Sequence, residues 1–258
     1  MLGAIAGDII GSVYEANPIK RKDFTLFAPG SRFTDDTVLT VAVADCLLHG
    51  KRYVPTFHDY FLRHRGAGFG ASFFHWAAYR NTEPYNSWGN GSAMRVSPVG
   101  WAADSVEDVL HQAAASAAVT HNHPEGIKGA QATALAVFMA HQGNSKEAIR
   151  EAVTQACGYD LQRDLEEIRE TYTFDMSCQG SVPEALLCFL AAEDYEDAVR
   201  NAVSLGGDAD TMACIAGAVA EAFYGGVPAA IAEPALAALT DDLRVVAEAF
   251  MQEYCRLP

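Results

Sequence analysis

The chain has 258 residues, half of them apolar, enough to bury a substantial core and too many for a disordered segment. Asp and Glu outnumber Lys and Arg by 33 to 18, and the resulting formal charge of −15 argues against holding nucleic acid through phosphate neutralisation. The six cysteines (46, 157, 178, 188, 214 and 255) form no C-x-x-C pair and stand mostly in apolar contexts, as the buried thiols of a reduced, cytoplasmic protein do.

Residues 1–13 are apolar but lack a basic leader and contain Asp8, so they do not read as a secretory signal. Charges or glycines interrupt every apolar run before bilayer length, and no membrane span is expected. In chain order, helix is predicted over 2–15, 37–49, 55–65, 105–119, 126–142, 145–157, 161–170, 182–192, 194–204, 211–224, 227–237 and 241–254. Alanine-rich stretches such as 113–118 favour helix, and period-two runs of β-branched residues are nearly absent, so the fold class is all-α. No flexible linker or fixed repeat divides the chain, which is expected to form one domain over 1–258. The least regular stretch, 66–104, is rich in Gly, Asn, Pro and aromatic residues and is expected to be a long loop facing substrate.

Gly3, Gly7, Gly11 and Glu15 recur at four-residue intervals, close to one face of a helix with 3.6 residues per turn. The stripe either lets another helix close in and delivers Glu15 to the interior, or is a packing seam that leaves Glu15 at a solvated end.

Thr34-Asp35-Asp36-Thr37 and Asp208-Ala209-Asp210-Thr211 each open an apolar helical stretch, the second after the turn-forming Gly206-Gly207. Either could be a helix cap. Together they supply four carboxylates with hydroxyls beside them, and like charges held that close require cations. Oxygen-only ligands suit hard ions such as Mg²⁺ or Mn²⁺, so the pair of clusters predicts a two-metal hydrolytic site.

Gly89-Asn90-Gly91-Ser92-Ala93-Met94-Arg95 is either a plain turn or a phosphate-holding loop that Arg95 assists or braces; it lacks the P-loop lysine and the Rossmann spacing. His121 and His123 lie two apart before Pro124 and do not match a zinc motif; His121 is read as a substrate hydrogen-bonding group or a loop cap.

In this order, Gly7 to Glu15, Thr34 to Thr37, Gly89 to Arg95, Thr120-His121 and Gly206 to Thr211 resemble the ADP-ribosylglycohydrolase family, with Ser12-Val13-Tyr14-Glu15 closest to the branch acting on serine-ADP-ribose and O-acetyl-ADP-ribose. The resemblance implies an orthogonal all-α domain with two divalent cations, Mg²⁺ or Mn²⁺. It implies Thr34, Asp35, Asp36, Asp208, Asp210 and Thr211 as metal ligands and Glu15 as catalytic group. Gly89, Asn90, Gly91, Ser92, Ala93, Met94 and Arg95 would hold the diphosphate and distal ribose, and His121 would contact substrate. The expected partner is an ADP-ribosylated protein or ADP-ribose conjugate, cleaved at C1″ by a monomer. A binuclear phosphohydrolase or nucleotidase and a non-catalytic ADP-ribose-binding regulator are the alternatives. Residues 66–88 and the turn 177–181 are expected on the acceptor side.

Overall fold

The computed structural model describes residues 1–255 and shows fifteen helices and no strand among them. In order these are α1 (Leu2–Gly11), α2 (Asp35–His49), α3 (Tyr53–Arg63), α4 (Ala71–Ala78), α5 (Gly91–Met94), α6 (Ser97–Ala102), α7 (Val106–Ala118) and α8 (Pro124–His141). There follow α9 (Lys146–Cys157), α10 (Leu165–Thr171), α11 (Cys178–Ala191), α12 (Tyr195–Val203), α13 (Ala209–Tyr224), α14 (Ala229–Ala237) and α15 (Asp241–Tyr254).

Small residues set the centre of the molecule. Every residue of α1 is buried, as is α13 from Ala209 to Ala222, the pattern of helices that are apolar on all sides. Added Cβ atoms at Gly3, Gly7 and Gly11 would lie 2.3, 2.1 and 2.4 Å from the carbonyl oxygens of Gly217, Ala213 and Ala209. The four-residue glycine stripe therefore runs antiparallel along the four-residue series 217, 213, 209, with backbones in contact. Glu221 satisfies the amides at the start of α1 that lack an intrahelical partner, accepting from Leu2 N at 3.1 Å and Gly3 N at 2.8 Å. Helices α2, α8, α11 and α12 pack around this pair.

Two sequence expectations are corrected. The first helix stops at Gly11 rather than 15, so Glu15 is not on the glycine stripe; the stripe is a packing seam. Ser12 turns the chain out: its hydroxyl donates to Ile9 O and accepts from Arg32 N, and Pro18 disfavours helix in Asn17. The stretch 66–104 is not one long loop but carries α4, α5 and α6. These helices have 8, 4 and 6 residues, too few turns for a 3.6-residue period to show.

Candidate active site

The α1–α13 seam ends where chemistry begins. Because Gly11 rides on the backbone of Ala209 and Asp210, Asp8 of α1 is carried up against the start of α13. There, carboxylate oxygens of Asp8, Asp36 and Asp210 lie within 4.8 Å of one another, as do those of Glu15, Asp208 and Asp210. Asp210 is common to both groups. Acids from both ends of the chain thus meet: Glu15, Asp36, Asp208 and Asp210 line one cavity of about 310 Å³ together with Thr34, Asp35 and Thr211, while Asp8 is buried behind it.

Asp8 is wholly buried and organises the first cluster. Thr34 N donates to its Oδ2 at 2.9 Å, Thr34 Oγ1 to its Oδ1 at 2.7 Å, and Thr37 donates both its amide (3.1 Å) and its hydroxyl to Oδ2. Thr34 is also the N-cap of α2, accepting from Asp36 N at 3.3 Å. Its one proton goes to Asp8, which leaves an oxygen lone pair for the cavity.

These acids are under electrostatic stress. Burial, with the Asp210 charge next, pushes Asp8 up to about 7 and Asp35 up to about 8. The same two causes hold Asp36 and Asp208 well above the usual carboxylate range. Asp36 Oδ1 is buried without a hydrogen-bond partner. Crowded carboxylates and an orphaned oxygen are what a divalent cation would neutralise and satisfy, so this donor set fits a metal. Glu15 stands exposed at the edge of the group, its pKa raised by desolvation and then by Asp210.

The glycine-rich loop closes one wall. Gly89, Asn90, Gly91, Met94 and Arg95 reach the cavity, whereas Ser92 and Ala93 are buried away from its lining. Ser92 Oγ instead donates to Gly126 O at 2.7 Å and braces the turn. Asn90 Nδ2 donates to Asp208 Oδ2 at 2.8 Å and to Ser181 Oγ at 3.1 Å. Met94 O accepts from Thr40 of α2 at 3.3 Å and from Cys214 of α13 at 3.3 Å, fixing the loop to both acid-bearing helices.

Arg95 is among the largest fully buried side chains of the described residues. Its Nη2 donates to Ser116 O (3.0 Å) and Thr120 Oγ1 (2.8 Å), and its guanidinium lies 4.7 Å from the centre of the Phe57 ring. Of the two roles expected for it, these contacts are those of a brace. Thr120 Oγ1 is 2.7 Å from His121 Nδ1, while His121 Nε2 is directed at Gly91, where an added Cβ would sit 3.2 Å away. Burial and the Arg95 charge keep His121 well below its ordinary pKa, so the ring is neutral.

The expected acceptor-side segments divide. Gly68, Gly70 to Phe73, Tyr85 and Ser87 line the cavity. The segment 177–181, expected as a turn, is the N-cap and first turn of α11; its Ser181 is buried and supports Asn90, while the preceding Phe174 and Met176 stand exposed on the cavity lining. Asp8 was not singled out by sequence as a site residue. Its signal was an acid inside an apolar, glycine-striped helix, a position that burial makes costly unless it is hydrogen-bonded.

The ADP-ribosylglycohydrolase family model matches residues 1–257, and the chain belongs to that family. It is 28% identical over 309 aligned positions to the ADP-ribosylhydrolase ARH3 of Mus musculus, covering 87% of this chain and 82% of the mouse protein. The ADP-ribosylarginine hydrolase Tri1 of Pseudomonas putida is 26% identical over 263 positions, covering 87% of this chain and 69% of the relative. A solved structure titled "ADP-ribosylglycohydrolase-related protein complex" superposes with a TM-score of 0.70 at 27% identity, covering 97% of this chain and 96% of that one. The protein is accordingly a glycosyl hydrolase by family and all-α by fold. No helix among the described residues is long and apolar enough to cross a membrane.

Proposed function

We propose that the protein releases ADP-ribose from an ADP-ribosylated acceptor, a protein side chain such as serine or arginine or an acetyl ester, by hydrolysing the bond at C1″. One observation carries this reading. Glu15, Asp36, Asp208 and Asp210, from two acid groups sharing Asp210, line a cavity whose wall is the Gly89–Gly91 loop and His121. A floor of hard oxygen donors suits a metal-bound ribose diol, and a glycine-rich loop without bulky side chains beside a neutral imidazole leaves room for a diphosphate.

Thr34, Asp35, Asp36, Asp208, Asp210 and Thr211 are assigned to two divalent cations, Mg²⁺ or Mn²⁺. When bound, such ions supply charge neutralisation and Lewis acidity. The chain's own groups do the rest. The glycine loop positions the diphosphate, and Asn90 holds Asp208 in place through its 2.8 Å hydrogen bond. Glycoside cleavage develops oxocarbenium character at C1″. Glu15, at the open edge beside Asp208 and Asp210, is the acid/base that handles the proton of the attacking water or the leaving group. Its raised pKa suits that role. We place the enzyme in the cytoplasm as a monomeric, single-domain protein.

The test is a panel of defined serine- and arginine-ADP-ribosylated peptides and O-acetyl-ADP-ribose, assayed for released ADP-ribose with Mg²⁺ present. Turnover of at least one conjugate is expected. Phosphate release from ADP-ribose would favour the phosphohydrolase alternative, and tight ADP-ribose binding with no turnover of any conjugate would favour the binding-regulator alternative.

A further inference from the structure

We propose that Thr120 fixes His121 in the tautomer protonated on Nε2, so that the imidazole presents a constant hydrogen-bond donor to ligand oxygens above the Gly89–Gly91 loop. The ligand's identity rests on the function proposed above; the tautomer does not.

The proton count decides the tautomer. A guanidinium has donors and no acceptor, so in the 2.8 Å contact between Arg95 Nη2 and Thr120 Oγ1 the hydroxyl oxygen accepts. The hydroxyl carries a single proton, and His121 Nδ1 stands 2.7 Å away. The competing neighbour is the Tyr85 phenol, whose ring packs against that of His121 with centroids 5.7 Å apart. A phenol carries its own proton and so needs none from Oγ1, whose second lone pair could accept it. An imidazole nitrogen is a far stronger base than a phenol oxygen and takes the Thr120 proton. Nδ1 is then an acceptor, and a neutral ring must carry its hydrogen on Nε2.

The direction matters for binding. Nε2 is the ring nitrogen directed at Gly91, and the absent side chain there leaves it open to whatever occupies the loop. An Nε2–H group donates to a phosphate or ribose oxygen; the opposite tautomer would turn a lone pair toward the same oxygen and repel it. Burying Arg95 with Nε and Nη1 unpartnered is costly, and holding the Thr120–His121 pair in register gives that buried cation a role in recognition. Thr120 and Arg95 are thus positioning residues, acting through His121.

The deciding measurement is the long-range ¹H–¹⁵N spectrum of histidine-labelled protein at neutral pH, with His121 assigned through its own backbone correlations. The expected result is an unprotonated Nδ1 and a protonated Nε2 in the parent protein. Thr120→Val keeps the side-chain shape but removes the hydroxyl; the two tautomers should then mix, and ADP-ribose affinity by calorimetry should fall about tenfold, the worth of one hydrogen bond. Thr120→Ser should restore both readouts, and Tyr85→Phe should leave the tautomer unchanged. A protonated Nδ1 in the parent, or a Thr120→Val spectrum identical to the parent's, overturns the proposal. Should Thr120→Val fail to fold, the parent spectrum alone still distinguishes the two tautomers. If ADP-ribose does not bind the parent at all, the functional reading falls while the spectrum still decides the tautomer.

Discussion

Asn90 and Asp208, 118 positions apart, are joined by a 2.8 Å hydrogen bond from the amide Nδ2 to the carboxylate Oδ2. This contact couples the wall of the cavity to its floor. A donor placed there favours the charged form of a carboxylate that burial otherwise holds well above its usual range.

Asn90→Ala should therefore weaken catalysis without unfolding the protein. A hydrogen bond to a charged group is worth about 1.5–3 kcal/mol, so kcat/KM should drop roughly ten- to a hundredfold. Steady-state kinetics with an active conjugate checks this; an unchanged kcat/KM would show that the coupling is incidental.

Asp8→Asn should disable the first acid group while leaving every proposed cation ligand in place. Four donors from Thr34 and Thr37 converge on the Asp8 carboxylate, and an amide offers only one oxygen while turning an NH₂ toward some of them. Titration calorimetry with Mg²⁺ or Mn²⁺ should show affinity reduced at least tenfold, the scale at which partners that orient ligands act. Wild-type affinity would mean that Asp8 only fills space.

Stability of the cation-free protein should fall as pH rises. Asp8 and Asp35, pushed up to about 7 and about 8, bind protons more tightly folded than unfolded, where carboxylates titrate near ~4. Between those limits the native state holds more protons, so unfolding free energy declines with pH. Added Mg²⁺, which favours the ionised acids, should raise the melting temperature more at pH 8 than at pH 5. An equal shift at both pH values, or none, would count against the acid groups as the cation site.

Glu15→Gln tests the acid/base assignment. General acid–base catalysis contributes about 10²–10⁴-fold, and kcat should fall within that range while ADP-ribose binding stays near the parental value. Because Glu15 lies within 4.8 Å of Asp208 and Asp210, Mg²⁺ affinity should be measured in parallel. A loss of Mg²⁺ affinity as large as that of Asp208→Asn, with kcat restored by saturating Mg²⁺, would make Glu15 a ligand instead.

Gly7→Ala should destabilise the whole molecule. The new Cβ would lie 2.1 Å from Ala213 O, and neither backbone can yield without shifting the α1–α13 seam. Overpacking of this kind costs about 1–3 kcal/mol or more, which should lower the melting temperature by several degrees. An unchanged melting curve would mean that the two helices are not in the contact described.

Much of the site was legible because helix caps are local. Thr34, Asp35 and Asp36 announce a helix start within three residues, as Asp208 and Asp210 do, and two such acid pairs call for cations if the fold joins them. Asp8 was not legible as a site residue: its hydrogen-bond partners stand 26 and 29 positions away, and nothing next to it in sequence names them. Glu15 was legible as a residue but misplaced on a helix. The four-residue interval continues past Gly11, and the chain leaves the helix through a contact between Ser12 and Arg32 that no local pattern contains. Arg95 showed the reverse: its spacing left open whether it faces phosphate or braces the loop, and its contacts with Ser116 and Thr120 are those of a brace.

By itself the order of residues determined the helical class, the glycine seam and the identity of the acids, since these depend on spacing over a few turns and on side-chain chemistry. Tertiary structure alone decided which acids share Asp210, where α1 ends, and that Thr120 stands between a buried guanidinium and an imidazole. The physical reason is range. Periodicity and capping act over one or two helical turns, whereas carboxylate repulsion and proton sharing act through space between segments that only packing brings together.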